Sequence, residues 1–152
     1  MLSPARIAIY LFITVSLHLS VSAVADTSQL DIVVAGTKGQ KTIHVELAVT
    51  SAERQKGLMF RDKLADDSGM LFIFPSETIL KFWMKDTSIA LDILFFDKDG
   101  RFINKFVNVP PLTLTKRVSS RPALYVLEVA GKASEKWDLG SGIHLKLPLA
   151  TP

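Results

Sequence analysis

The segment from Phe82 to Asp97 constrains this chain more than any other, because it sets Lys85, Asp86 and Asp92 into the most apolar stretch of the sequence. From Leu91 onward alternate residues point to opposite sides of an extended strand, so Leu91, Ile93 and Phe95 share one face and Asp92, Leu94 and Phe96 the other. Both faces are apolar apart from Asp92. A strand of that kind lies inside a sheet system covered on both sides, which predicts a buried carboxylate. A buried carboxylate needs a cation or several donors, since removing one member of a buried pair costs about 3–5 kcal/mol. Arg54, Arg61 and Lys85 are the expected partners. Ala123–Val129 repeats the situation: it is apolar on both faces apart from Glu128.

With 152 residues and 48% hydrophobic content, the chain suits one domain with a sizeable core. The formal charge of +3 is too weak to predict a nucleic-acid partner. Residues 1–25 read as an export signal: Arg6 supplies the positive start, Ile7–Leu19 the apolar run, and Ala23-Val24-Ala25 a small-x-small cleavage site. Cleavage after Ala25 would deliver a single domain, 26–152, to the periplasm or the exterior, with membrane contact only through the signal before cleavage. The alternative is an uncleaved anchor, which His18 and several serines disfavour. The sequence contains no cysteine, which excludes disulfides, a lipid-modified cysteine, thiolate metal sites and a thiol nucleophile.

Local signals order the rest. Strands are expected at Leu30–Ala35 and Lys41–Val49, joined by a turn at Gly36–Gly39 and preceded by a flexible leader from Asp26. Thr50 and Glu53 have the spacing of a capping box for a short helix that Gly57 would end. Met70–Phe74 is a buried strand closed by Pro75. The turn Asp97-Lys98-Asp99-Gly100 predicts a hairpin between Leu91–Phe96 and Arg101–Val109. Leu112–Pro122, with Lys116, Arg117 and Arg121, is expected to be a mobile loop. A short helix over Gly131–Trp137 and a last strand, Ile143–Leu147, complete the chain.

Four blocks carry a resemblance to a known family: Glu53–Arg61, Gly69–Phe74, Phe82–Thr87 with Leu91–Asp97, and Leu127–Gly131. In that order they resemble the DUF192 family of small, mostly uncharacterised bacterial and archaeal domains, over nearly the whole chain after residue 25. The family tends to have asparagine where this chain has Asp86 and proline where it has Ala90. The resemblance implies a mainly β fold, a jelly-roll-like sandwich or partly open barrel with two short helices, as the strand count does. It implies almost nothing about activity.

Arg54, Arg61, Trp83, Lys85, Asp86, Asp92 and Glu128 are the candidate ligand-binding residues. Arginine forks match carboxylates and phosphates, so converging charges would suit a small polar or anionic ligand, a glycan or an envelope protein. An internal ion-pair network is the more economical account of the same residues. A carboxylate-dependent hydrolase using Asp86, Asp92 or Glu128 is the enzymatic alternative, and a purely structural interaction module the third. No Gly-x-Ser-x-Gly elbow exists, and Ser141 between two glycines reads as a turn. His44, Glu46 and His144 lack a tight ligand motif, so neither a metal nor another cofactor is expected. Of Phe82, Met84, Tyr125, Trp83 and Trp137, most are expected to pack in the core.

Overall fold

A computed structural model describes residues 29–36 and 39–147. The expected signal segment, the leader before Gln29, the two central residues of the first turn and Pro148 lie outside them. Among the described residues nine strands and two short helices follow one another: β1 (Gln29–Gly36), β2 (Gly39–Ala48), α1 (Ser51–Lys56), β3 (Ser68–Thr78), β4 (Lys81–Phe82), β5 (Leu91–Phe96), β6 (Phe102–Val109), β7 (Arg117–Val118), β8 (Ala123–Ala130), α2 (Ala133–Lys136) and β9 (His144–Lys146). The fold is mainly β, as expected. Seven strands form one curled sheet in the order β6-β5-β8-β3-β2-β1-β9, a half-barrel, and β4 pairs with β7 in a separate ribbon.

All pairings are antiparallel except β2 with β3, which the helix-containing connection makes parallel. The two ends of the sheet meet at one corner: Arg101, just before β6, bridges His144 of β9, and the Leu145 amide donates to the Gly100 carbonyl. Curling gives the sheet two buried faces. One holds Ile32, Ile43, Leu71, Leu94, Phe96, Leu127 and Val129. The other holds Phe72, Phe82, Met84, Ile93, Phe95 and Val126, with the Phe82 ring edge-on to Phe72 and Phe95. β5 is buried at all six positions because it divides the two.

Local chemistry explains the turns. The Thr50 hydroxyl accepts from the Glu53 amide while the Glu53 carboxylate accepts from the amides of Val49 and Thr50, so the capping box forms as the spacing predicts, and Gly57 ends α1 at φ 48°. After β5, the Asp97 side chain accepts from the amides of Asp99 and Arg101, and Gly100 takes φ 76°.

Three expectations are corrected. Pro75 does not close β3: the strand runs on to Thr78, and its pairing with β8 shifts register between Ile73 and Thr78, so proline's missing donor interrupts no regular ladder. The helix after Gly131 is only four residues long. Leu112–Pro122 is not a free loop. It contains β7, and the Thr113 and Leu80 carbonyls accept from the amides of Met84 and Ser119, while the Ser119 hydroxyl accepts from the Leu80 amide.

Candidate functional site

Asp92 and Glu128 lie on neighbouring strands, and the register separates them. Ile93 is paired with Glu128 and Asp92 with Val129, and directly opposed residues share a face, so the two carboxylates point to opposite sides of the sheet.

Asp92 is wholly buried. One carboxylate oxygen accepts from the amides of Asn108 and Lys132, at 2.7 and 2.8 Å, and the other from the amide of Ser134, at 2.7 Å. These short, charge-assisted bonds satisfy the group without a cation. Asp92 also supplies the cap that α2 lacks locally, because Lys132 precedes that helix with φ 70° and no capping side-chain bond. The expected pairing of Asp92 with Arg54, Arg61 or Lys85 is therefore wrong. The several donors that the sequence leaves as the alternative are backbone amides, which no side chain identifies because every residue type except proline supplies one.

Glu128 is nearly buried as well, between Met70 of β3 and Ile93 of β5. It makes no hydrogen bond or ion pair with any described residue. Burial alone pushes its pKa up to about 8, so the carboxyl is mostly neutral at pH 7. The expected cation partner is absent here too, and for a different reason: the group is neutralised by its proton.

Glu128 opens onto a cavity of about 280 Å³. Leu58, Phe72, Phe82, Thr87 and Glu128 are its buried lining, and Gln55, Lys56, Lys81, Trp83 and Lys116 its exposed rim. Arg54 lines it too, positioned by α1. Its guanidinium donates to the Val49 and Ile73 carbonyls and lies 5.0 Å from the Phe74 ring centroid. Gly57 lets the chain pass the Phe72 ring, since a Cβ there would sit 3.1 Å from it. The volume falls just below the roughly 300–1,000 Å³ typical of ligand sites. That suits only a small ligand.

Of the candidate residues, the cavity brings together Arg54, Trp83 and Glu128. Lys85 stays outside, 5.8 Å from the Trp83 ring centroid. Arg61 pairs instead with Glu46. Asp86 contributes its backbone: its carbonyl accepts from the Phe60 amide, and its φ of 52° is one that aspartate and asparagine tolerate better than most residues. Sequence reasoning missed Lys56, Lys81 and Lys116 as rim cations. Lys81 could have been found from its alternation with Phe82, Trp83 and Met84.

The remaining candidates disperse. His44 bonds Asp31 through Nδ1, and that hydrogen bond holds its pKa above the usual value. His144 lies on β9 with its Nδ1 buried and unpartnered. Ser141 is in a turn closed by the Ile143 amide on the Gly140 carbonyl. Among the described residues no group of three or more histidine or acidic side chains is arranged to hold a metal ion. Trp137 is half-buried, with Lys41 4.8 Å from its ring centroid.

Compared with known proteins, residues 33–147 match the DUF192 family, described as "Uncharacterized ACR". No curated protein matches the chain. Among solved structures, a Sinorhizobium meliloti protein provisionally assigned as a transcription regulator is 31% identical, with a TM-score of 0.77 over 80% of this chain and 95% of its own. A Novosphingobium aromaticivorans protein of unknown function is 36% identical, with a TM-score of 0.78 over 82% of this chain and 89% of its own.

Proposed function

Since the chain belongs to the DUF192 family, which has no assigned activity, we propose from the cavity itself that this domain is a non-enzymatic binding module for a small organic anion with an apolar body. The observation that carries the reading is a buried Glu128, its pKa pushed up to about 8 by burial, beneath a rim of lysines. A neutral carboxyl donates a hydrogen bond where a carboxylate would repel an anion. Lys56, Lys81 and Lys116 supply charge at the mouth, and Phe72, Phe82 and Trp83 supply apolar walls. The export pattern in residues 1–25 supports a location in the cell envelope. An N-terminal mass beginning at Asp26 supports that placement, and a mature protein that keeps Met1 opposes it.

The hydrolase reading is weaker. Asp92 faces the other side of the sheet and is committed to three amides, which leaves Glu128 as the one carboxylate lining the cavity, whereas acid-base hydrolysis of glycosides needs two flanking the bond. A transcriptional role, as assigned to the S. meliloti relative, has little to stand on. The helices among the described residues are six and four residues long, too short to serve as a recognition helix.

Titration with benzoate and with neutral benzamide, followed by Trp83 fluorescence in a Trp137→Phe background, tests the reading. Benzoate should bind and benzamide bind more weakly. Equal binding of the two, or none of either, defeats it.

A further inference from the structure

We propose that the outer face of the β4–β7 ribbon docks on an anionic phospholipid surface, which shares Lys81, Trp83 and Lys116 with the mouth of the cavity and adds residues outside it. Lys81, Trp83 and Lys85 are exposed while the intervening Phe82 and Met84 are buried, so one face of this strip alternates cation and ring. Lys116 of the facing segment sits 3.1 Å from the Trp83 ring centroid. Asp86 is the one acidic residue in segments 79–88 and 110–121, against five lysines and arginines.

Large apolar side chains stand out beside these cations: Phe60 is 75% exposed, Leu112 62% and Leu114 63%. They are held there. The Phe60 amide donates to the Asp86 carbonyl, the Leu112 amide to the Thr87 carbonyl, and the Met84 amide to the Thr113 carbonyl. Phe60 and Leu112 have φ of 63° and 59°, a region that bulky residues seldom enter and that concentrates at functional surfaces. Single exposed apolar residues are ordinary. A group of them on strained turns, beside a tryptophan and several lysines, is the composition of a surface that seats in the interfacial layer of a bilayer. There the apolar tips reach the acyl boundary and the lysines reach lipid phosphates. An acidic protein would match the charge as well; the alternation of lysine with tryptophan favours the interfacial layer of a bilayer, where tryptophan is enriched.

Trp83 reports the contact directly. The full chain carrying Trp137→Phe is mixed with vesicles of phosphatidylglycerol or of phosphatidylcholine, each with brominated acyl chains. Quenching of Trp83 is expected with phosphatidylglycerol, reduced by high salt. It should require about fivefold more lipid in Lys85→Glu, which lies outside the cavity, and in Phe60→Asn, a substitution that tolerates the local φ. Unfolding curves matching the parent confirm that both variants fold. Vesicle attachment without Trp83 quenching would mean that residues 1–25 alone do the binding, and it overturns the proposal. So does equal quenching by the two lipids, or a Trp83 response to polyglutamate but not to vesicles, which would identify an acidic protein as the partner.

Discussion

Ile93 of β5 opposes Glu128 of β8, and the next pair along, Asp92 with Val129, faces the other way. A single step of register thus gives two carboxylates one residue apart along the ladder opposite fates. Asp92 collects three amides and serves the fold, whereas Glu128 meets only apolar neighbours and an open cavity.

The role of Asp92 makes Asp92→Asn a stability variant. An asparagine keeps one acceptor oxygen and sets its carboxamide NH2, itself a donor, against the backbone donors on the other side, so at least one buried N–H loses its partner. With hydrogen bonds to charged groups contributing about 1.5–3 kcal/mol each, the variant should lose about 3 kcal/mol in urea unfolding. Since Asp92 holds the start of α2 from another strand, the loss should be shared by amide exchange at Lys132 and Ser134. A variant as stable as the parent would show that the three bonds contribute little.

Thr50→Ala removes one half of a capping box that is otherwise exposed. The expected loss is about 1 kcal/mol, with cavity residues unaffected beyond the orientation of Arg54. Glu53 accepts backbone bonds from Thr50 and Val49, which hold its pKa below the usual value. Its contribution is present above the ordinary carboxylate range and disappears as pH falls through the lowered value. Glu53→Gln, which removes the charge that those amides hold, should therefore flatten the acid limb of the stability curve, whereas Thr50→Ala keeps both backbone donors and most of that limb. An unchanged acid limb in Glu53→Gln would count against the box.

Those two residues mark the boundary of what the chain discloses in advance. Thr50, Glu53, Gly57 and the Asp97–Gly100 turn act through neighbours within four residues, so spacing alone reveals them. The burial of Asp92 and Glu128 is equally legible, because alternation shows apolar residues on both faces. Their partners are not legible, since Asn108, Lys132 and Ser134 contribute amides that no side chain advertises, across separations of 16 to 42 residues. The pairing of β4 with β7 escapes for another reason: alternation from Lys81 to Lys85 marks an exposed face, but strands of two residues do not disclose their partner. The cavity then follows from what could not be read, since the ribbon carries Lys81, Trp83 and Lys116 to its mouth.

Gly69 is needed where β3 meets β8. A Cβ on it would lie 2.6 Å from the Glu128 carbonyl oxygen, a backbone atom that moves only with its strand. Gly69→Ala should cost about 1–3 kcal/mol and shift Glu128 relative to the cavity, weakening benzoate binding along with stability. Gly142→Ala meets no atom within 4 Å but sits at φ 84°, so it should lower stability through the backbone alone and leave benzoate binding intact. Comparing the two by thermal unfolding and titration separates a clash beside the site from strain remote from it.

Glu128→Gln tests the buried proton. In the unfolded chain the carboxyl has an ordinary value near 4.5, and folding raises it to about 8. A raised folded value means that the native state is favoured below pH 4.5 and loses stability as pH climbs toward 8, at about 1.4 kcal/mol per pH unit. Full deprotonation would cost on the order of 5 kcal/mol, an upper figure because water entering the cavity relieves part of it. Glutamine carries no such dependence. The stability difference between variant and parent should widen steadily from pH 5 to pH 8 in the variant's favour and level off above. His44, whose raised pKa also makes stability fall with rising pH, is present in both proteins and cancels from the difference. Over the same range benzoate affinity should fall in the parent and hold steady in the variant. A difference that stays constant from pH 5 to 8.5 would mean that Glu128 is ionised in the native protein, and the cavity would then repel the anions proposed for it.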